Sequence, residues 1–171
     1  FSKILQQLYS NGYVLVRLSD FSSVTTDAEG NATAAAKPLQ LPAGKKPLLL
    51  VQSNLSYYQY MSGGGFANRL VLDNDGKLTT VRGTGNQDGE VTYGITLGEF
   101  DLVPILEKFI EAHPDFSYKG ARATLAVTGD EGIFGYRIQS ETIAKKGQDY
   151  YNEQVVGATK VVEALKAKGY R

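Results

Sequence analysis

The sequence predicts an α/β fold with parallel strands, on three observations. Leu48 to Val51 is an unbroken apolar run bounded by Pro47 and polar residues, the pattern of a strand covered on both faces. Leu102 to His113 and Asp149 to Lys168 carry apolar residues at helical spacing. Ala123 to Val127 ("ATLAV") is a second short apolar strand between them. Strand, helix, strand, helix favours βαβ units joined into a parallel sheet or barrel.

In chain order, Ile4, Leu5 and Leu8 predict a first helix over Ser2 to Tyr9, stopped by Asn11-Gly12. Tyr13 to Leu18 ("YVLVRL") reads as a strand. Asp20 to Lys37 is rich in Ser, Thr, Ala, Asp and Gly without apolar periodicity, so it is a long loop, or a turn around Asp27-Ala28-Glu29-Gly30 between ragged strands. Leu48 to Val51 is the candidate central strand. Arg69 to Leu72 and Lys77 to Val81 flank Asp73-Asn74-Asp75-Gly76, residues that tolerate the positive φ of a hairpin turn. Arg82 to Thr96 is glycine-rich and polar and reads as a loop.

Two helices complete the pattern. In Leu102 to His113 the apolar face is Val103, Ile105, Leu106, Phe109 and Ile110, with Pro104 in the tolerant first turn and His113-Pro114 as the stop. Gly129 to Gly135 is the loop after the Ala123 to Val127 strand. The last helix presents Val155, Val156, Val161, Val162 and Leu165 and closes at Gly169.

Composition narrows the function classes. The 171 residues suit one domain, and 18 basic residues balance 18 acidic ones. No long-range field therefore favours nucleic acid, an anionic membrane or a cationic substrate. Without cysteine there is no thiolate nucleophile, disulfide or cysteine zinc site. No apolar run approaches the roughly 20 residues that span a bilayer. Phe1 suggests a processed or trimmed chain.

Several familiar chemistries fail on residue type. The Asp73 to Gly76 turn lacks the acid or amide at Val71 and the terminal glutamate of a calcium loop. The glycines of Arg82 to Thr96 do not open a helix after a strand, as a phosphate-binding loop requires. His113 is the only histidine, whereas zinc wants several converging nitrogen or sulfur ligands. At a helix carboxyl end it favours the negative end of the dipole and leaves Ser53 without a base.

The stretch Leu48 to Met61 ("LLLVQSNLSYYQYM") resembles the first motif of secreted bacterial polysaccharide deacetylases, whose barrel strand reads roughly "LSQDDVNYYEYM". The similarity continues, in order, through Phe1 to Phe21, Leu41 to Pro47, Gly65 to Thr80, Phe100 to Thr128 and Gly135-Tyr136-Arg137. It stops at "EALKAKGY", where that family runs on into its histidine motif. The resemblance implies an incomplete or rearranged (β/α) barrel of the polysaccharide deacetylase type with added β-hairpins. It also implies a single domain, 1–171, truncated at its carboxyl end, and a secreted or cell-surface location.

The resemblance also implies a lost activity. Ser53 and Asn54 stand where the family carries consecutive aspartates, the first a general base and the second a ligand of a divalent metal such as zinc. A serine hydroxyl is no base near neutral pH, and an asparagine offers a neutral carbonyl where the cation wants a carboxylate. General base catalysis alone is worth about 10²–10⁴-fold. No catalytic residue, metal ligand or cofactor is therefore expected. Asp130, in the Gly129 to Gly135 loop, is either a compensating carboxylate or a solvated one.

Tyr57, Tyr58 and Tyr60, with Arg137, are the candidate substrate-binding residues. Tyrosine rings stack on sugar faces, and the competing reading packs them between barrel and loops. The expected function is a non-catalytic deacetylase-like module that binds a polysaccharide or serves a structural or assembly role. The alternative is a fragment of a metal-dependent deacetylase of N-acetylated polysaccharide, acting through a metal-bound water. A cut barrel would leave a free sheet edge. The chain is thus expected to associate with itself or with a separate carboxyl-terminal portion, through that edge or the Val155, Val162 and Leu165 helix face, unless its first helix closes the gap.

Overall fold

A computed structural model of the chain describes residues 1–85 and 91–171. It is a mixed α/β structure. Helix α1 (Ser2–Ser10) buries Leu5 and ends at Asn11 and Gly12, where Gly12 takes a φ of +81°. Strand β1 (Tyr13–Leu15) follows. It is shorter than the Tyr13 to Leu18 expectation because α2 (Leu18–Phe21) begins at Leu18: the Asp20 carboxylate takes the Arg17 amide at 2.7 Å and caps the turn.

The Asp20 to Lys37 segment is a hairpin. Strands β2 (Ser22–Thr26) and β3 (Ala32–Ala36) pair antiparallel, Ser22 opposite Ala36. Asp27 makes the turn, its Oδ1 accepting from the amides of Glu29 and Asn31. Of the two readings, the turn between strands is the one that forms.

The apolar run is divided. Strand β4 (Lys46–Leu48) pairs parallel with β1, and β5 (Val51–Gln52) pairs parallel with a later strand. Burial alternates along the run: Leu48 and Leu50 pack on the core, while Leu49 and Val51 are exposed, Val51 at 51%. The expectation of a strand covered on both faces is corrected, because the odd-numbered side chains stand on the outer face of the run and remain exposed.

Strands β6 (Arg69–Leu72), β7 (Leu78–Gly85) and β8 (Val91–Gly98) form an antiparallel sheet. The Asp73 to Gly76 turn joins the first two, Asp73 Oδ1 accepting from the amides of Asp75 and Lys77. Most of the predicted Arg82 to Thr96 loop is therefore strand; its residues 86–90 lie outside the described residues. Its glycines serve close approach, since a Cβ on Gly83 would meet the Val91 side chain at 2.5 Å.

Helix α3 (Leu102–Ala112) starts at Asp101, whose carboxylate accepts the Leu102 amide, and buries Leu102, Val103, Leu106 and Ile110. Strand β9 (Thr124–Leu125) is the parallel partner of β5, with Val51 opposite Thr124. Helix α4 (Ser140–Lys146) precedes the long α5 (Gln148–Lys168), which ends at Gly169 with a φ of +103°. The buried face of α5 is Gln154, Ala158, Val161 and Leu165, rotated from the expected one. Val155 and Val156 face outward, because Gly157 admits the Tyr136 ring against the helix backbone and fixes which side turns inward.

The core draws Leu5, Leu15, Leu70, Leu106, Phe116, Val161 and Tyr170 together. Tyr170 caps it, its hydroxyl pushed far above the usual tyrosine pKa by burial. Among the described residues the strands make three two-stranded sheets and one three-stranded sheet, with no closed barrel. No helix among them is long and apolar enough to cross a membrane.

Candidate functional site

The carboxyl ends of β5 and β9 lie side by side, so the chains leaving them, Ser53 to Ser62 and Val127 to Arg137, share one rim. Backbone bonds bind the two exits together: Ala126 N–H donates to the Gln52 carbonyl and Leu55 N–H to the Ala126 carbonyl, at 2.9 and 3.0 Å. Side chains continue the seam, with the Ser56 and Thr128 hydroxyls 2.5 Å apart.

Ser53 and Asn54 occupy the strand exit and are exposed. Asn54 takes a φ of +53°, a left-handed conformation that asparagine tolerates better than most residues. Its Oδ1 accepts from the Tyr58 hydroxyl at 3.4 Å. Neither side chain carries charge, and both face solvent.

The three tyrosines separate. Tyr57 is in the core, 5% exposed, its hydroxyl buried and its pKa raised first by burial and then by the Asp101 carboxylate. Tyr58 and Tyr60 lie outside it, their rings stacked 5.4 Å apart at 17°. Tyr60 is 80% exposed, which leaves a ring open to solvent. The packing reading thus describes Tyr57, and an open aromatic surface describes Tyr60, with the half-buried Tyr58 stacked against it.

Arg137 reaches across the seam. Its guanidinium donates to the Tyr57 carbonyl at 2.7 Å and to the Glu131 carbonyl at 3.2 Å, and it lies 3.4 Å from the Glu131 carboxylate. Glu131 Oε2 accepts the Gln59 amide at 2.6 Å. These bonds hold Tyr57 to Gln59 from both ends, so the stacked pair stands on a braced turn, Gln59–Met61. Arg137 acts here as a positioning residue.

Glu131, not Asp130, is the carboxylate that meets the loop after β5; Asp130 is exposed. Sequence reasoning missed Glu131. The available signal was an acid and an arginine six residues apart around Gly132 and Gly135, a spacing that a compact loop closes into an ion pair. Gly132 and Gly135 are required there: both have positive φ, and a Cβ on either would run into backbone.

His113 caps α3, packed between the Tyr9 and Phe109 rings at 4.5 and 4.6 Å. Among the described residues no three His, Cys, Asp or Glu side chains converge. Comparison with family models, with curated proteins and with solved structures finds no match for the chain.

Proposed function

We propose that the chain is a non-catalytic, polysaccharide-deacetylase-like module of the cell surface or secreted space that engages a glycan through Tyr58 and Tyr60. The observation that carries this reading is the exposed Tyr60 ring stacked on the half-buried Tyr58 at the strand exit where Ser53 and Asn54 replace the expected acids. An exposed ring offers a sugar an apolar face and a hydroxyl together. The braced turn beneath it lowers the entropy lost on binding.

The finer fold belongs to the same proposal. Two parallel strand pairs, β1 with β4 and β5 with β9, support an incomplete (β/α) barrel of the deacetylase type, and the β2–β3 and β6–β7 hairpins are its additions. A serine and an asparagine at the strand end support binding without turnover.

The test is titration with oligomers of β-linked N-acetylglucosamine. Tyrosine fluorescence is readable because the chain has no tryptophan. Saturable quenching that Tyr60→Ala weakens by about 1–3 kcal/mol, the range of a lost stacking contact, is the expected result. Binding that survives Tyr58→Ala with Tyr60→Ala would remove the tyrosines from the site; acetate release by the unaltered chain would remove the non-catalytic reading.

A further inference from the structure

Seven residues, Ser62 to Asn68, leave the turn that carries Tyr60 and return to the start of β6. Both ends of this loop are fixed. At its start the Ser62 amide donates to the Gln59 carbonyl at 3.0 Å and the Gly64 amide to the Met61 carbonyl at 3.1 Å. At its end Asn68 is buried; its amide donates to the Val81 carbonyl at 2.7 Å and its Oδ1 accepts from the Gly83 amide at 2.9 Å. Asn68 Nδ2 donates to Ser62 Oγ at 3.1 Å and closes the base, as in an Ω-loop.

The tip is built in the opposite way. It is Gly63-Gly64-Gly65-Phe66, with a φ of +82° at Gly63 and +86° at Gly65, conformations that glycine adopts without strain. Phe66 is 55% exposed, and its ring folds back on Gly64, 3.3 Å from where a Cβ would stand. A large apolar ring held in water on a three-glycine strap, above a hydrogen-bonded base, has the build of a hinged element.

The two residues that close the base also line a cavity of ≈ 220 Å³. Its wall brings the polar groups of Ser62, Asn68, Arg69 and Arg137 together with Val81 and Ile95. That combination suits a sugar ring, which presents hydroxyls at its edge and C–H groups on its faces, and the volume admits one such unit. Tyr60 lies two residues before Ser62, at most about 7 Å along the backbone.

We propose that the Gly63 to Phe66 strap is a lid that closes over one sugar unit held in this cavity, with Phe66 covering the sugar face and Tyr60 carrying the neighbouring unit. The inference rests on the reading of Tyr60 as a glycan surface and adds to it a third aromatic residue and a moving part. Closure takes the Phe66 ring out of water only when a sugar lies beneath it, which gives the closed state its higher affinity for the ligand.

The experiment titrates the trimer of β-linked N-acetylglucosamine into the unaltered chain, Phe66→Ala, Phe66→Tyr and Tyr60→Ala, with amide hydrogen exchange read across Gly63 to Phe66. Expected are an affinity about 3–10-fold weaker in Phe66→Ala, recovery in Phe66→Tyr, and strap exchange slowed by the trimer in the unaltered chain. Phe66 is exposed, so its variants are expected to keep the Tm of the unaltered chain. Should Phe66→Ala fold poorly, strap exchange in the unaltered chain decides alone. Binding that depends on Tyr60 but leaves strap exchange unslowed, or is as tight in Phe66→Ala as in the unaltered chain, overturns the lid and leaves the tyrosine reading standing. Binding that Tyr60→Ala leaves unchanged, or no binding at all, overturns both.

Discussion

The Arg137 guanidinium lies 3.4 Å from the Glu131 carboxylate while it donates to the Tyr57 carbonyl at 2.7 Å. One side chain therefore ties the loop after β9 to the loop after β5. The pair is mostly shielded, with side chains 12% and 30% exposed. Removing the arginine leaves a carboxylate and a carbonyl without their charged donor, and Arg137→Ala is expected to cost about 1.5–3 kcal/mol. Lysine cannot supply the fork, so Arg137→Lys recovers only part. Urea denaturation checks this, and an unmoved midpoint in Arg137→Ala would mean the two loops are held by other contacts.

A second junction is pH-sensitive. Asp115 accepts from Lys45 at 3.1 Å and from the Tyr9 hydroxyl at 2.9 Å, joining the end of α1, the approach to β4 and the turn after α3. Those hydrogen bonds, Lys45 first, hold its pKa below the ordinary 3.8. A lowered folded pKa means the contribution is complete above the unfolded value and disappears as pH falls through the folded one. Asp115→Asn is expected to flatten the stability profile below pH 3.8 and to leave the slope between pH 6 and 8 unchanged. Denaturation midpoints across that range test it; an acid limb of undiminished slope would count against Asp115 as its source.

Helices α1, α3 and α5 were legible because apolar spacing and a stop signal agree in each: Asn11-Gly12, His113-Pro114 and Gly169. Helix α4 was not, because Ser140 to Lys146 is short and polar with one buried residue, Thr142. The β7–β8 pairing hid behind Gly83 and Gly94, which read as loop residues until the close cross-strand approach at Gly83 and the positive φ at Gly94 give them a role. The apolar face of α5 was misjudged by one position of rotation, since Val155 and Val156 are as apolar as Val161 and only the packing of Tyr136 on Gly157 separates them. At the site, the tyrosine run was visible, but which ring enters the core depends on Asn54 turning the chain through a positive φ.

Gly157 gives a prediction whose sign is informative. In an exposed helix interior Gly→Ala stabilises by about 1 kcal/mol. Here the Tyr136 ring lies where the added Cβ would go, and that ring is itself buried beneath Arg69, whose guanidinium sits 4.8 Å from its centre. Overpacking costs about 1–3 kcal/mol and outweighs the helix gain, so Gly157→Ala is expected to lower stability. Gly157→Ala with Tyr136→Leu, which vacates the space, should regain most of the difference. A more stable Gly157→Ala chain would show that Tyr136 moves aside freely.

The strand exit supplies the last prediction. Ser53 and Asn54 offer a hydroxyl and a neutral amide where divalent cations bind carboxylates. Placing charge there with Ser53→Asp and Asn54→Asp supplies two carboxylates, but zinc sites are usually completed by imidazole or thiolate. The chain has no cysteine, and its one histidine is packed between Tyr9 and Phe109 at the end of α3. The double variant is therefore expected to bind zinc no tighter than millimolar, and the unaltered chain to retain no stoichiometric zinc, nickel or cobalt after dialysis. Calorimetry and metal analysis decide both. Micromolar zinc affinity in the double variant would mean that further carboxylates of the rim, such as Asp130 or Glu131, complete the site, or that His113 leaves its aromatic contacts to reach it.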